Sequence, residues 1–146
     1  MFVKDAVCQA FVEALLHYRN EGAYRLHAFV LMPEHFHILL TPGERTPLER
    51  AIMYVKGGSA RKIGEMLNAK LPVWQRGFSD HRVRDTGDYQ VRLGYLELNP
   101  VKRGLAATPG DYIWSSASRR YPLDDAPLGL KPPAQRLGIG TAEAVP

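Results

Sequence analysis

Two histidines one residue apart, His35 and His37, and a tyrosine, Tyr95, flanked at helical spacing by Arg92 and Asn99, are the residues of this chain best suited to chemistry. In an extended strand successive side chains alternate faces, so His35 and His37 project together while Phe36, Ile38 and Leu40 point the other way, into a core. Two imidazoles on one side of a sheet can hold a divalent cation through ring nitrogens, provided that a third ligand arrives from elsewhere in the fold. The same pair would serve equally as two hydrogen-bonded surface histidines, because two ligands do not close a coordination sphere. On a helix over residues 86–99, Tyr89, Leu93 and Leu96 share one apolar stripe, and Tyr95 lies off it beside Arg92 and Asn99. A tyrosine that the core stripe does not need is a candidate for chemistry, or else a ring packed at a second interface.

The elements that must position these residues follow from periodicity. Val7, Phe11, Ala14, Leu15 and Tyr18 recur at helical spacing from about Asp5, and Gly22 is placed to end that helix. Residues 24–31 are rich in strand formers, Met32-Pro33-Glu34 interrupts them, and the histidine strand follows as the second arm of an antiparallel pair. Thr46, Pro47 and Glu49 supply an N-cap, a first-turn proline and a capping-box carboxylate for a second helix. Gly57-Gly58-Ser59 predicts a kink or break in it. Residues 68–72 read as a loop. Residues 73–83 read as the last strand of the sheet, with Arg76, Arg82 and Arg84 making a basic exposed side. Asp85 and Asp88 open the third helix and Pro100 limits it. Tyr112, Ile113 and Trp114 are expected to tack the turn-rich segment after it onto the domain. From Tyr121 onward the chain is rich in proline and poor in large apolar residues, which predicts a disordered tail over 121–146 after a single domain over 1–120.

At 146 residues and 45% hydrophobic content, the chain is long enough for one packed core. A net charge of +4 permits a polyanionic partner without requiring one. One cysteine, Cys8, excludes an intrachain disulfide framework and points to a reducing compartment. No run approaches the roughly 20 apolar residues that span a bilayer, and no basic-then-apolar leader opens the sequence, so the expected location is the cytoplasm, away from the membrane.

Four stretches in order, Leu26-His-Ala-Phe-Val-Leu-Met-Pro-Glu-His-Phe-His-Ile-Leu-Leu-Thr-Pro42, Trp74-Gln-Arg-Gly-Phe-Ser-Asp-His-Arg-Val-Arg-Asp85, Tyr95-Leu-Glu-Leu-Asn-Pro-Val-Lys-Arg-Gly-Leu105 and Trp114-Ser-Ser116, resemble the single-tyrosine transposases of the His-hydrophobic-His endonuclease superfamily, above all the REP-associated members. The resemblance spans about residues 2–120. It implies an α+β fold with a ferredoxin-like antiparallel sheet and helices on one face. It further implies Mg²⁺ or Mn²⁺ on His35 and His37, Asn99 as the helix-borne third ligand and Tyr95 as the nucleophile. The reaction it implies is cleavage and rejoining of single-stranded or hairpin-flanked DNA through a 5′-phosphotyrosine, by a monomer in preference to a dimer. Arg76, Arg82, Arg84, Arg92, Lys102 and Arg103 would then contact nucleic acid, although a basic side of this kind also occurs as an ordinary solvated face.

Three departures from the family pattern stand out. Glu34 replaces an asparagine before the first histidine and could alter ion preference. The glycine pair interrupts the second helix. The family also opens with a central strand ahead of helix one, whereas this sequence starts at Met1-Phe2-Val3, so that strand is expected to be missing and a long backbone edge exposed. The alternative function is accordingly an inactive, N-terminally truncated DNA-binding remnant. A zinc hydrolase is disfavoured because its carboxylate and histidine spacings are absent.

Overall fold

The helices and the first two strands form close to where the periodicity places them, although the second helix starts at Leu48 with Pro47 in the cap position and no side-chain cap, so the capping box expected from Thr46 and Glu49 does not form. The computed structural model describes residues 4–68 and 73–127 and, as backbone, 138–143. Its order is α1 (Asp5–Asn20), β1 (Tyr24–Leu31), β2 (His35–Pro42), α2 (Leu48–Leu67), β3 (Ser79–Arg82), α3 (Thr86–Lys102) and β4 (Gly138–Glu143), with short 3-10 turns at Pro109–Asp111 and Ser116–Ser118. The strands form one antiparallel sheet in the order β1-β2-β4-β3. This is the expected α+β, ferredoxin-like arrangement.

Alternation along β2 divides the molecule in two. Phe36, Ile38 and Leu40 enter the main core with Val7, Phe11 and Leu15 of α1 and Ile52, Val55 and Ile63 of α2. Leu39 points the other way, into a smaller cluster with Ala28, Val30, Met32, Val83 and the Tyr89 and Leu96 stripe of α3. Helices α1 and α2 therefore share one face as expected, while α3 covers the opposite one, because its own apolar stripe needs a partner and the second face of the sheet supplies it.

Strand β1 keeps to this division only through a β-bulge. Leu26 and Phe29 are an odd number of residues apart, yet both lie in the main core, because the register shifts between Leu26 and Ala28 and His27 becomes the extra residue. His27 is buried, with Nδ1–H donating to the Asp125 carbonyl at 2.7 Å and Nε2 accepting from Thr41 Oγ1 at 2.7 Å.

Several expectations need correction. The kink at Gly57-Gly58 is absent: α2 runs unbroken, and a Cβ on Gly58 would lie 2.7 Å from the Tyr18 ring, so that glycine is what lets α1 and α2 approach. The last strand is confined to Ser79–Arg82, since Val73 and Trp74 are drawn into the core and Gly77 at φ +74° turns the chain between them and β3. Helix α3 passes Pro100 and ends at Lys102; only one intrahelical bond is lost to the proline, and Arg103 N–H closes the end on the Asn99 carbonyl at 3.1 Å. The loop expected after Asn68 lies outside the described residues.

Of the expected tail, residues 121–127 and 138–143 are described and are not disordered, and the rest of 121–146 lies outside the described residues. Leu26 N–H donates to Asp124 Oδ2 at 2.8 Å, Asp124 N–H donates to the Leu26 carbonyl at 2.8 Å, and Arg19 grips the same carboxylate through Nε and Nη2 at 3.0 and 3.2 Å. Upstream of this, Leu31 N–H donates to the Trp114 carbonyl and Ser116 Oγ bonds both backbone groups of Phe29, so residues 114–124 cover the outer edge of β1. Residues 138–143 then pair with both β2 and β3 as β4, so the inner edge of β2, expected to be exposed, is occupied. Among the described residues no strand precedes α1.

Candidate functional site

Strand β2 presents His35 and His37 on the α3 face, half-buried, with ring centroids 4.8 Å apart and nearly perpendicular planes. Helix α3 brings Tyr95 to them: the His37 and Tyr95 rings lie edge to face at 6.4 Å. Tyr95 is 56% exposed, as a side chain off the core stripe should be, and Lys102 holds its ammonium 5.3 Å from the ring centroid. A cleft of about 160 Å³ opens between strand and helix, lined by His37, Ser79, Asp80, His81, Arg92, Tyr95 and Leu96. Elsewhere a wider depression of about 810 Å³ runs past stacked Tyr18 and Tyr54, but neither the histidine pair nor Tyr95 borders it.

Burial, and then the neighbouring His35, bring the His37 imidazole down to about 4. His37 is therefore neutral at physiological pH and one of its two ring nitrogens keeps a lone pair free of a proton, as a metal-ligating histidine requires. Among the described residues no third His, Cys, Asp or Glu joins the pair in a metal-binding group. Asn99 is half-buried one turn beyond Tyr95 on the same side of α3, so an amide oxygen and solvent are the donors that could complete a coordination sphere. Two imidazoles, an amide and water suit a divalent cation.

The polar side of α3 is built from its first turn. Asp85 caps the helix, its Oδ1 accepting from Asp88 N–H at 2.7 Å. Asp88 Oδ2 accepts from Arg84 N–H at 3.0 Å and from His81 Nε2–H at 3.1 Å, and Oδ1 accepts from Arg92 Nε–H at 3.4 Å. Arg92 Nη2–H donates in turn to His81 Nδ1 at 3.4 Å. Partial desolvation raises the Asp88 carboxyl, but the bonds from Arg84 and His81 and the charges nearby outweigh it and hold the group below the ordinary aspartate range.

Of the residues singled out in the sequence, the structure gathers His35, His37, Tyr95, Arg92 and Lys102 around one site, with Asn99 on the adjoining turn. Arg76, Arg82, Arg84 and Arg103 are solvent-exposed, and none of them borders the cleft. His81 and Asp88 join the site without being singled out by the sequence. A usable signal existed: Asp88, Arg92, Tyr95 and Asn99 recur at i, i+4, i+7 and i+11, a polar stripe parallel to the apolar one at Tyr89, Leu93, Leu96 and Pro100.

The sequence profile of the family described as "Transposase IS200 like" matches residues 1–97. The chain belongs to that transposase family. A REP-associated tyrosine transposase of Escherichia coli strain K12 is 27% identical over 122 residues, covering 80% of this chain and 71% of the relative. A solved structure of a REP-associated tyrosine transposase bound to a REP hairpin superposes with a TM-score of 0.66 at 26% identity, over 88% of this chain and 79% of that one. The fold of this transposase is thus shared with REP-associated members. No helix among its described residues is long and apolar enough to cross a membrane.

Proposed function

We propose that this transposase cleaves and rejoins single-stranded, hairpin-flanked DNA through a covalent bond to Tyr95. The observation that carries the reading is the edge-to-face approach of His37 and Tyr95 across one cleft, from a strand and a helix with no sequence proximity. The similar solved protein is bound to a REP hairpin, which makes hairpin DNA the substrate class to test for this chain. In the reaction the Tyr95 oxygen forms a bond to phosphorus as the bond from phosphorus to the 3′-oxygen breaks. The products are a 5′-phosphotyrosine and a free 3′-hydroxyl, which takes up the proton the phenol loses. Attack by another 3′-hydroxyl reverses the step and joins strands without ATP, because one phosphodiester replaces another.

His35, His37 and Asn99 would hold Mg²⁺ or Mn²⁺, which supplies Lewis-acid polarisation of the scissile phosphate. Lys102 lies over the Tyr95 ring and adds a cation where negative charge develops. Arg76, Arg82, Arg84 and Arg103, all exposed, track the backbone of the bound strand. The enzyme works as a monomer in the cytoplasm.

The test is cleavage of a labelled hairpin-flanked oligodeoxynucleotide with and without Mg²⁺ or Mn²⁺. His35→Ala and His37→Ala should each abolish metal-stimulated cleavage while melting like the parent chain. If both variants cut normally with an unchanged metal requirement, the cation is held elsewhere or not needed.

A further inference from the structure

We infer that Asp88 and His81 are positioning residues which hold Arg92 in the cleft as the clamp on the phosphate that Tyr95 attacks; this rests on the reading of Tyr95 as the nucleophile. A free arginine side chain samples many rotamers, and each one frozen on binding costs free energy. Arg92 is already fixed at two points. Its Nε–H is committed to Asp88 and one Nη2–H to His81, and Asp88 is itself fastened by Arg84 N–H and by His81. The His81 ring completes the triangle in one tautomer, Nε2–H toward Asp88 and Nδ1 toward Arg92. Among the described residues neither Nη1 hydrogen of Arg92 has an acceptor, so a guanidinium lining the cleft beside Tyr95 and His37 retains donors for two phosphate oxygens.

The position suits the chemistry. Arg92 stands one helical turn before Tyr95 on the same polar stripe, so an oxyanion next to the Tyr95 hydroxyl is within the span that i, i+3 side chains share. The unit differs from a plain surface ion pair because it joins β3 to α3 across the wall of the cleft: His81 comes from the strand and the other two from the helix. Distortion of that wall would displace the guanidinium before it unfolded the domain.

The test uses the full chain and two readouts. In single-turnover adduct formation on a hairpin-flanked oligodeoxynucleotide, Arg92→Ala should lower the rate constant about 100-fold, the size of effect seen when a preorganised donor to a developing oxyanion is removed. Asp88→Asn and His81→Ala should lower it about 10-fold with a smaller change in the concentration of DNA giving half-maximal rate, and His81→Gln should recover part of the loss, since an amide can still bridge Asp88 and Arg92. Arg61→Ala, on an exposed part of α2, is the control. Independently of cleavage, NMR titration with inorganic phosphate and with a (dT)10 oligonucleotide should shift the Arg92 Nε–H and His81 ring signals in the parent chain, and the shifts should weaken in Asp88→Asn. Wild-type adduct rates in Arg92→Ala, or Arg92 and His81 signals that do not move with either probe, would overturn the clamp. Signals that move in a chain forming no adduct would support the clamp and place the failure in the assignment of Tyr95.

Discussion

The two faces of the sheet carry the same strands and opposite properties. Toward α1 and α2, Phe36 packs on Phe11 and Trp74 at centroid distances of 4.7 and 5.2 Å in a buried core. Toward α3, two of the alternate residues of β2 are half-buried imidazoles over a cleft, and the apolar cluster, which reaches along β1 through Ala28, Val30 and Met32, is smaller than the main core. One residue of phase along a strand separates stability from chemistry. A domain of this size can therefore keep a polar, partly solvated site beside a tightly packed core, because the backbone ladder between the faces satisfies its own polar groups.

Truncating neighbours on β2 should separate the two faces most widely. Phe36→Ala should destabilise the domain by about 3–5 kcal/mol in urea titrations, whereas His37→Ala, one residue on, should change stability by less than about 1 kcal/mol and remove cleavage. Equal losses of stability from the two substitutions would show that the faces are not independent.

Acid should expose the next difference. His37 titrates at about 4 in the fold and near 6.5 when the chain is unfolded, so between those values the unfolded state binds more protons. Its contribution is complete above pH 6.5 and is lost as pH falls toward 4. The expected loss is about 1–3 kcal/mol after allowance for partial exposure. His27, lowered chiefly by burial, acts in the same direction. Urea denaturation at pH 7, 5.5 and 4.5 measures the slope; His37→Gln should flatten it, and an unchanged slope would assign the effect to other groups.

A smaller effect is expected where residues 114–124 cover β1. Asp124→Ala removes the carboxylate that receives Arg19 and Leu26 N–H and should cost about 1–2 kcal/mol, without altering cleavage by the distant cleft. A melting curve identical to that of the parent would mean that the carboxylate adds nothing to the backbone bonds of Asp124 and Asp125 and the contacts of Trp114 and Ser116.

These contrasts also mark what the sequence made legible. Alternation at Phe36-His37-Ile38 and the apolar stripe on α3 are local patterns, so the histidine pair and the exposed Tyr95 could be read directly. The bulge at His27, the role of Gly58 and the docking of Asp124 depend on partners far along the chain. Glycine in a helix looks like a breaker until the Tyr18 ring beside it is known, and an aspartate in a proline-rich tail looks solvated until a backbone N–H is found to meet it. His81 and Asp88 were obscured differently: each fitted an ordinary local explanation, a basic strand and an acidic helix start, and only the cleft joins them.

Whether the α3 face works through Tyr95 is decided by covalent trapping. The parent chain, incubated with Mn²⁺ and a hairpin-flanked oligodeoxynucleotide labelled on either side of the cut, is expected to retain the 5′ phosphate end on protein through denaturing electrophoresis, and peptide mapping is expected to place it on Tyr95. Tyr95→Phe should retain the DNA in a native gel and yield no adduct, while Tyr54→Phe and Tyr89→Phe still yield it. An adduct that persists in Tyr95→Phe and disappears in another tyrosine variant would place the nucleophile elsewhere.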